Sequence, residues 1–169
     1  MSSKLQTAYL SLGSNLGDRR ANIEMGLSSL EQPGILPGRV SSLFETEPVG
    51  FRNQPWFLNL VLSVETRHSP EELMERCLEI EIAHGRKRSF QNSPRTLDID
   101  LLLYGDFIIN SNRLIIPHPR MAERRFVLEP LAEIAPEVYH PVLKQTIRSL
   151  LDSCADLSSV RPYSPGKDA

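Results

Sequence analysis

Several things are scarce in this chain of 169 residues, and each scarcity excludes something. The only cysteines are Cys77 and Cys154, with no CxxC spacing. A disulfide framework is therefore not expected, and both read as reduced thiols in a cytoplasmic protein. The histidines, His68, His84, His118 and His140, have no partners at zinc-ligand spacing, so no zinc is assigned. No window approaches the roughly 20 apolar residues of a membrane span, and the opening MSSKLQTAYLSLGSNLG has no apolar run of signal-peptide type. Export and membrane insertion are not expected. Charge of one sign is also lacking: 19 Lys and Arg stand against 21 Asp and Glu, for a net charge of -2. That balance argues against the uniformly basic surface of a duplex-DNA binder. A phosphate loop of the form GxxxxGK[ST] is missing too. GSNLGD, Gly13 to Asp18, lacks the lysine and reads as a tight turn.

What remains is ordinary globular composition, 40% hydrophobic and 24% charged, with no repeat and no internal linker. The length suits one domain over residues 1–169, with a frayed tail at 164–169. TAYLSLG, Thr7 to Gly13, alternates as a strand. A helix follows from the cap Asp18, carrying Ile23, Leu27 and Leu30, and Pro33-Gly34 is expected to stop it. VSSLFETEPV, from Val40, and WFLNLVLSVET, Trp56 to Thr66, read as antiparallel strands, because GFRNQP between them is too short for a crossover helix. Ser69, Pro70, Glu71 and Glu72 announce a second helix, with Leu73, Cys77 and Ile80 in one apolar row. A basic loop, RKRSFQNSPR, leads into the strand RTLDIDLLLYGD, and DFIINSNRLIIP reads as a hairpin turning at Asn110 to Asn112. RMAERRFVLEPLAEIAPE and TIRSLLDSC are helical by period. The order βαββαβ is the ferredoxin-like arrangement, α+β, an antiparallel sheet with helices mainly on one face and extra C-terminal helices. In that arrangement the sheet's other face is left free.

RTLDIDLLLYGD carries the chemistry. In a strand, residues i and i+2 share a face, so Asp98 and Asp100 point one way while Leu97, Ile99 and Leu101 point the other. By itself an Asp-x-Asp pair is often just the outer face of a solvated strand. Arg86, Lys87, Arg88 and Arg95, with no acid among them, immediately precede it, and that neighbourhood favours a polyphosphate. The carboxylates would hold Mg²⁺, and guanidinium forks would take the remaining phosphate oxygens. Asn59 sits in an otherwise apolar strand, and a buried amide needs partners, of which a ligand is one. Phe57 and Phe126 are, on residue type alone, more often core. His118 stands between Pro117 and Pro119, a rigid mount for a polar ring.

Taken together, LGSNLGD, FETEPVGFRNQPWFLN, the GRxR loop, PRTLDIDLL, IIPHPRMxxRxFVLxPL and EIAPE resemble the 6-hydroxymethyl-7,8-dihydropterin pyrophosphokinase family, from about Tyr9 to Pro141. The resemblance implies an enzyme of folate biosynthesis that moves an intact pyrophosphoryl group from ATP to the pterin's hydroxymethyl oxygen and releases AMP. It implies two Mg²⁺ ions on Asp98 and Asp100, with Arg86 and Arg95 closing over the phosphates. Arg88, His118 and Arg124 fall on the nucleotide, and Glu81 and Arg113 near its adenosine part. Phe57 and Phe126 match the pair that sandwiches the pterin, Asn59 the amide that reads its edge, and Thr46 and Val49 backbone contacts there. The chain departs from the family at Asn92-Ser93, where Trp-Gly is frequent, and at Pro119, where an aromatic often follows the histidine. A monomer is expected, with no nucleic acid or membrane partner. The rival readings are an RNA-binding module, which would show a KGFGFVxF-like strand that is missing here, and a regulatory module that binds a small ligand without turnover.

Overall fold

The computed structural model describes residues 4–48, 53–85 and 96–165. Among them the strands are β1 (Gln6–Ser14), β2 (Ile35–Val40), β3 (Phe44–Thr46), β4 (Phe57–Thr66), β5 (Asp98–Tyr104), β6 (Ile109–Asn110), β7 (Ile115–Ile116), β8 (Tyr139–His140), β9 (Gln145–Thr146) and β10 (Val160–Pro162). The helices are α1 (Arg19–Leu30), α2 (Pro70–Ala83), α3 (Arg125–Ile134) and α4 (Ile147–Asp152), with one 3₁₀ turn at Met121–Glu123. The main sheet runs β10-β3-β4-β1-β5, with β2 also paired to β4, and every pairing is antiparallel. Setting aside β10, this is the strand order of the ferredoxin-like arrangement read from the sequence.

Local signals explain both helices on the first face. Asp18 caps α1 by accepting from the Ala21 amide. Ser69 and Glu72 form a reciprocal capping box at α2, with Pro70 in the first turn. Ile23, Leu30, Leu73, Cys77 and Ile80 from these helices meet Leu10, Leu12, Leu58, Leu60, Leu62, Leu97 and Ile99 in one core.

A second core lies on the opposite face, where Val61, Leu102 and Leu103 pack under Val127, Leu128, Leu131, Ile147 and Leu150 of α3 and α4. The sheet's other face is therefore open only beyond these helices. Between Tyr9 and Leu10 the register with β5 shifts, so Leu103 faces Tyr9, Leu101 faces Leu10, and Leu102 is the extra residue of a bulge. This is how LLLY can be apolar throughout: Leu101 and Tyr104 enter the first core, Leu102 and Leu103 the second.

Of the strand expected from Val40 only Phe44–Thr46 forms, as β3, and a separate strand that was not expected, β2, precedes it and ends at Val40. β2 pairs with the Leu62–Thr66 half of β4, and β3 with its Phe57–Asn59 half. Between them Ser41 donates its amide to the Val61 carbonyl at 2.9 Å, while its hydroxyl accepts the Val61 amide at 3.0 Å. A side chain thus replaces one backbone rung and lets the chain change course. The helix expected over RMAERRFVLEPLAEIAPE breaks at Arg124, whose backbone is extended (φ -119°, ψ 104°).

Gly26 of α1 lies close against the first core, since a Cβ there would lie 3.0 Å from Leu97 Cδ2 and 3.2 Å from Leu12 Cδ2. Gly26→Val should lower stability by about 1–3 kcal/mol through overpacking. Urea unfolding checks this, and an unchanged midpoint would contradict the packing.

Candidate functional site

Register places the chemistry in rows across the second face of the sheet. Gly13 of β1 pairs with Asn59 on one side and Asp98 on the other, and Ser11 likewise pairs with Val61 and Asp100. Opposed residues of antiparallel strands share a face, and strands lie about 4.8 Å apart. Asn59 and Asp98 therefore flank a glycine at a separation of about 10 Å, two strand spacings. Phe57 and Thr46, paired with each other, continue the same face toward β3. α3 packs on the Val61 end of its row, while Asp100 at the other end stays half-buried, and the Gly13 row lies at the end of β1.

The floor at Gly13 is bare because it must be. A Cβ there would meet Asn59 Oδ1 at 2.5 Å and Phe57 Cδ1 at 3.5 Å. Asn59 is 5% exposed, and its Nδ2 donates to Thr46 Oγ1 at 2.6 Å. One end of its amide is thus committed within the protein, and the carbonyl end leans over the glycine. Phe57 is half-buried, not a core residue, and lies against the same floor.

Asp98 and Asp100 are both half-buried, while Leu97, Ile99 and Leu101 between and around them are buried. From beneath, Glu81 of α2, 2% exposed, accepts the Ile99 amide at 2.9 Å and so grips the strand midway between the two acids. No group of three or more His, Cys, Asp or Glu side chains among the described residues could cage a metal. Two oxygen donors on one open face suit Mg²⁺, a hard cation that keeps several waters and completes its shell with substrate phosphates. Asp98 and Asp100 fit such a hard, oxygen-ligated ion.

His118 follows a cis Ile116–Pro117 peptide. Its amide donates to the Leu102 carbonyl at 2.9 Å, and its Nδ1 accepts the Arg120 amide at 3.2 Å, leaving Nε2 to carry the proton of the neutral ring. Burial, together with the Arg124 and Arg120 guanidiniums and against the pull of Asp98, brings its pKa down to about 4. His118, Asp98 and Arg124 thus share one electrostatic neighbourhood. The Arg124 guanidinium in turn sits 5.6 Å over the Phe126 ring, a cation–π contact, and Phe126 packs half-buried at the margin of the second core.

The fold therefore brings Thr46, Phe57, Asn59, Asp98, Asp100, His118, Arg124 and Phe126 to one end of one face. Glu81 lies behind that face, in the first core. Arg113 stands apart on the β6–β7 hairpin, exposed and 3.4 Å from Glu75 of α2. Val49, Arg86, Arg88 and Arg95 lie outside the described residues, as does the Asn92-Ser93 departure. Gly13 was missed as a site residue because a glycine after a strand signals a turn; only its register with Asn59 and Asp98 reveals the floor.

Residues 9–136 match the family model of 7,8-dihydro-6-hydroxymethylpterin-pyrophosphokinase (HPPK). The chain is 45% identical to 2-amino-4-hydroxy-6-hydroxymethyldihydropteridine pyrophosphokinase of Bacillus subtilis over 132 residues, 78% of this chain and 79% of that protein. It is 40% identical to the protein of the same name from Aquifex aeolicus, covering 85% and 89% of the two chains. It is also 42% identical to the folic acid synthesis protein fol1 of Schizosaccharomyces pombe, covering 96% of this chain but 22% of that one. The chain thus spans about a fifth of the length of such fungal relatives. Among solved structures, wild-type Plasmodium falciparum HPPK-DHPS with pteroate superposes with a TM-score of 0.71 at 18% identity, over 88% of this chain and 44% of that one, which supports the fold.

Two outcomes follow from this geometry. Gly13→Ala should displace the Asn59 amide and cost about 1–3 kcal/mol of stability; an unmoved Asn59 side-chain NH₂ resonance would contradict the close approach. In protein free of metal and nucleotide, NMR titration should find His118 neutral down to about pH 4. Between about 4 and the ordinary value of 6.5 the unfolded chain binds this proton and the folded chain does not, so His118's contribution to stability falls as pH is lowered through that window. A His118 midpoint at or above 6.5 would contradict the burial.

Proposed function

This chain belongs to the 7,8-dihydro-6-hydroxymethylpterin-pyrophosphokinase family, and from that premise we propose that it transfers pyrophosphate from ATP to 6-hydroxymethyl-7,8-dihydropterin in folate biosynthesis. The observation that carries this reading is the row Asn59, Gly13, Asp98, with Asp100 two residues further along the same face of β5: an amide that can read a heterocycle edge, a bare floor, and a carboxylate pair for phosphate-bound metal. The hydroxymethyl oxygen attacks the β-phosphorus in line. The bond from that phosphorus to the oxygen shared with the α-phosphorus breaks, AMP leaves, and the hydroxyl proton passes to solvent, for no residue among those described stands out as an obligatory base.

Asp98 and Asp100 would hold the metal, two Mg²⁺ ions as the family resemblance implies. Mg²⁺ bound there would neutralise the phosphates and acidify the attacking hydroxyl. Ile99, fixed by Glu81, keeps the two carboxylates in line with one another. His118 at neutral pH is an uncharged donor through Nε2 and takes the nucleotide side with Arg124. Thr46 and Asn59 read the pterin edge, and Phe57 and Phe126 offer aromatic faces to its rings. Arg86 and Arg95 are assigned to the phosphates, Arg88 to the nucleotide and Val49 to the pterin by their place in the sequence, and Glu81 and Arg113 to the adenosine side. We also propose that residues 1–169 form a single domain that acts as a monomer in the cytoplasm and binds no nucleic acid. The two cysteines, both free, fit a reducing compartment, and no helix among the described residues is long and apolar enough to cross a membrane.

Incubation with ATP, Mg²⁺ and 6-hydroxymethyl-7,8-dihydropterin, followed by nucleotide analysis, tests the proposal. AMP is expected, and Asp98→Ala or Asp100→Ala should lower turnover by at least about 10³-fold while the fold is retained. ADP as the product would overturn the reaction, and an active double Ala variant would overturn the metal assignment.

A further inference from the structure

We propose that the segment from Asp156 to Arg161 is a positioning strap that holds the two walls of the pterin site at their working separation; this rests on the function proposed above. One anchor is at the start of α3. Asp156 Oδ2 accepts the Arg125 amide at 3.0 Å, the Asp156 carbonyl accepts Arg125 Nε at 2.9 Å, and Arg125 Nη2 reaches the Cys154 carbonyl at 3.4 Å. Arg125 lies between Arg124 and Phe126, so this anchor fixes the helix end that carries both.

The other anchor is at β3 and β4. The Ser159 carbonyl accepts the Glu47 amide at 3.1 Å, and the Ser159 amide donates to Glu47 Oε1 at 3.0 Å. Val160 then pairs with Thr46, whose other neighbour is Phe57. Arg161 donates to Glu45 Oε1 through Nη2 at 2.7 Å and through Nε at 3.1 Å, and its guanidinium lies 4.6 Å over the Trp56 ring. Glu45 Oε2 accepts Arg19 Nη2 at 3.1 Å, and Arg19 Nη1 reaches the Trp56 carbonyl at 2.9 Å. Three distant stretches of chain therefore meet on Glu45. Although burial alone would raise it, those two arginines hold the Glu45 carboxyl below its ordinary pKa, so it stays charged.

Glu45 pairs with Leu58, a residue of the first core, and so projects toward α1, behind the face that carries Thr46 and Asn59. The clamp touches no ligand; it sets the residues adjacent to Thr46 and Phe57. Core formation does not explain the strap, since Leu157, beside its first anchor, is 92% exposed and its anchors are polar. Six residues span at most about 20 Å when fully extended, so pinning both ends limits how far the α3 wall and the β3–β4 wall can part.

Steady-state kinetics on the full chain tests this, with thermal unfolding measured alongside. Arg161→Ala should raise the KM for 6-hydroxymethyl-7,8-dihydropterin by about tenfold, with kcat and the KM for ATP within about twofold. Arg161→Lys, which keeps the charge but loses the fork, should recover part of that loss. Asp156→Ala should raise the pterin KM from the other end. If wild type releases AMP and both Ala variants keep its pterin KM, the strap alone is overturned. It is also overturned if Tm, kcat and both KM values deteriorate together without rescue by Lys, the signature of a scaffold role only. A wild-type protein that neither releases AMP nor binds the pterin in a fluorescence titration overturns the functional reading and the strap with it.

Discussion

Side chains alternate along a strand, so burying Leu97, Ile99 and Leu101 against α1 and α2 obliges Asp98 and Asp100 to project from the opposite face. Everything else at the site depends on that constraint. A slip of one residue would bury both carboxylates in the first core and expose the leucines, at a cost the fold could not bear. The pair is not free of cost even where it stands. Two charges about 7 Å apart repel by roughly 2 kcal/mol at an effective dielectric near 20. Glu81 contributes by gripping the Ile99 amide between them, which holds the strand in the register that keeps the acids together.

The remaining parts of the site are arranged around this strand by pairing and by one helix end. β1 lies between β5 and β4, and its Gly13 leaves a gap in the side-chain layer between Asp98 and Asn59. Asn59 has one amide end tied to Thr46, which fixes which atoms it offers over the gap. The break at Arg124 starts α3 where Arg124 and Phe126 reach the same end of the sheet, and Asp156 holds that start in place. The second face is thus divided: α3 and α4 seal one part as a core and leave the other for chemistry.

Much of this was legible in the sequence, for reasons that can be named. The acids of β5 were readable because period-2 alternation is a strong signal, and both first-face helices because Asp18, Ser69 and Pro70 cap them. β2 was not, because Pro37-Gly38 within it looks like a turn, and neither was the stop after Val40, where the Ser41 hydroxyl replaces a backbone rung. β10 was unreadable for another reason: three residues on an edge are fixed by Glu45 and Trp56, more than a hundred positions earlier in the chain. Glu81 was expected beside the nucleotide, and its grip on Ile99 is visible only once α2 packs on β5. The bareness of Gly13 likewise has meaning only in register.

The central claim is that Asp98 and Asp100 form one metal-dependent binding surface for the triphosphate. The most direct test is calorimetric titration with an ATP analogue that has a methylene group in place of the oxygen between the α- and β-phosphorus, so that AMP cannot leave. Wild type should bind it far more tightly with Mg²⁺ than without, and a variant with both acids changed to Asn should lose that dependence. The same Mg²⁺-dependent affinity in both proteins would contradict the account.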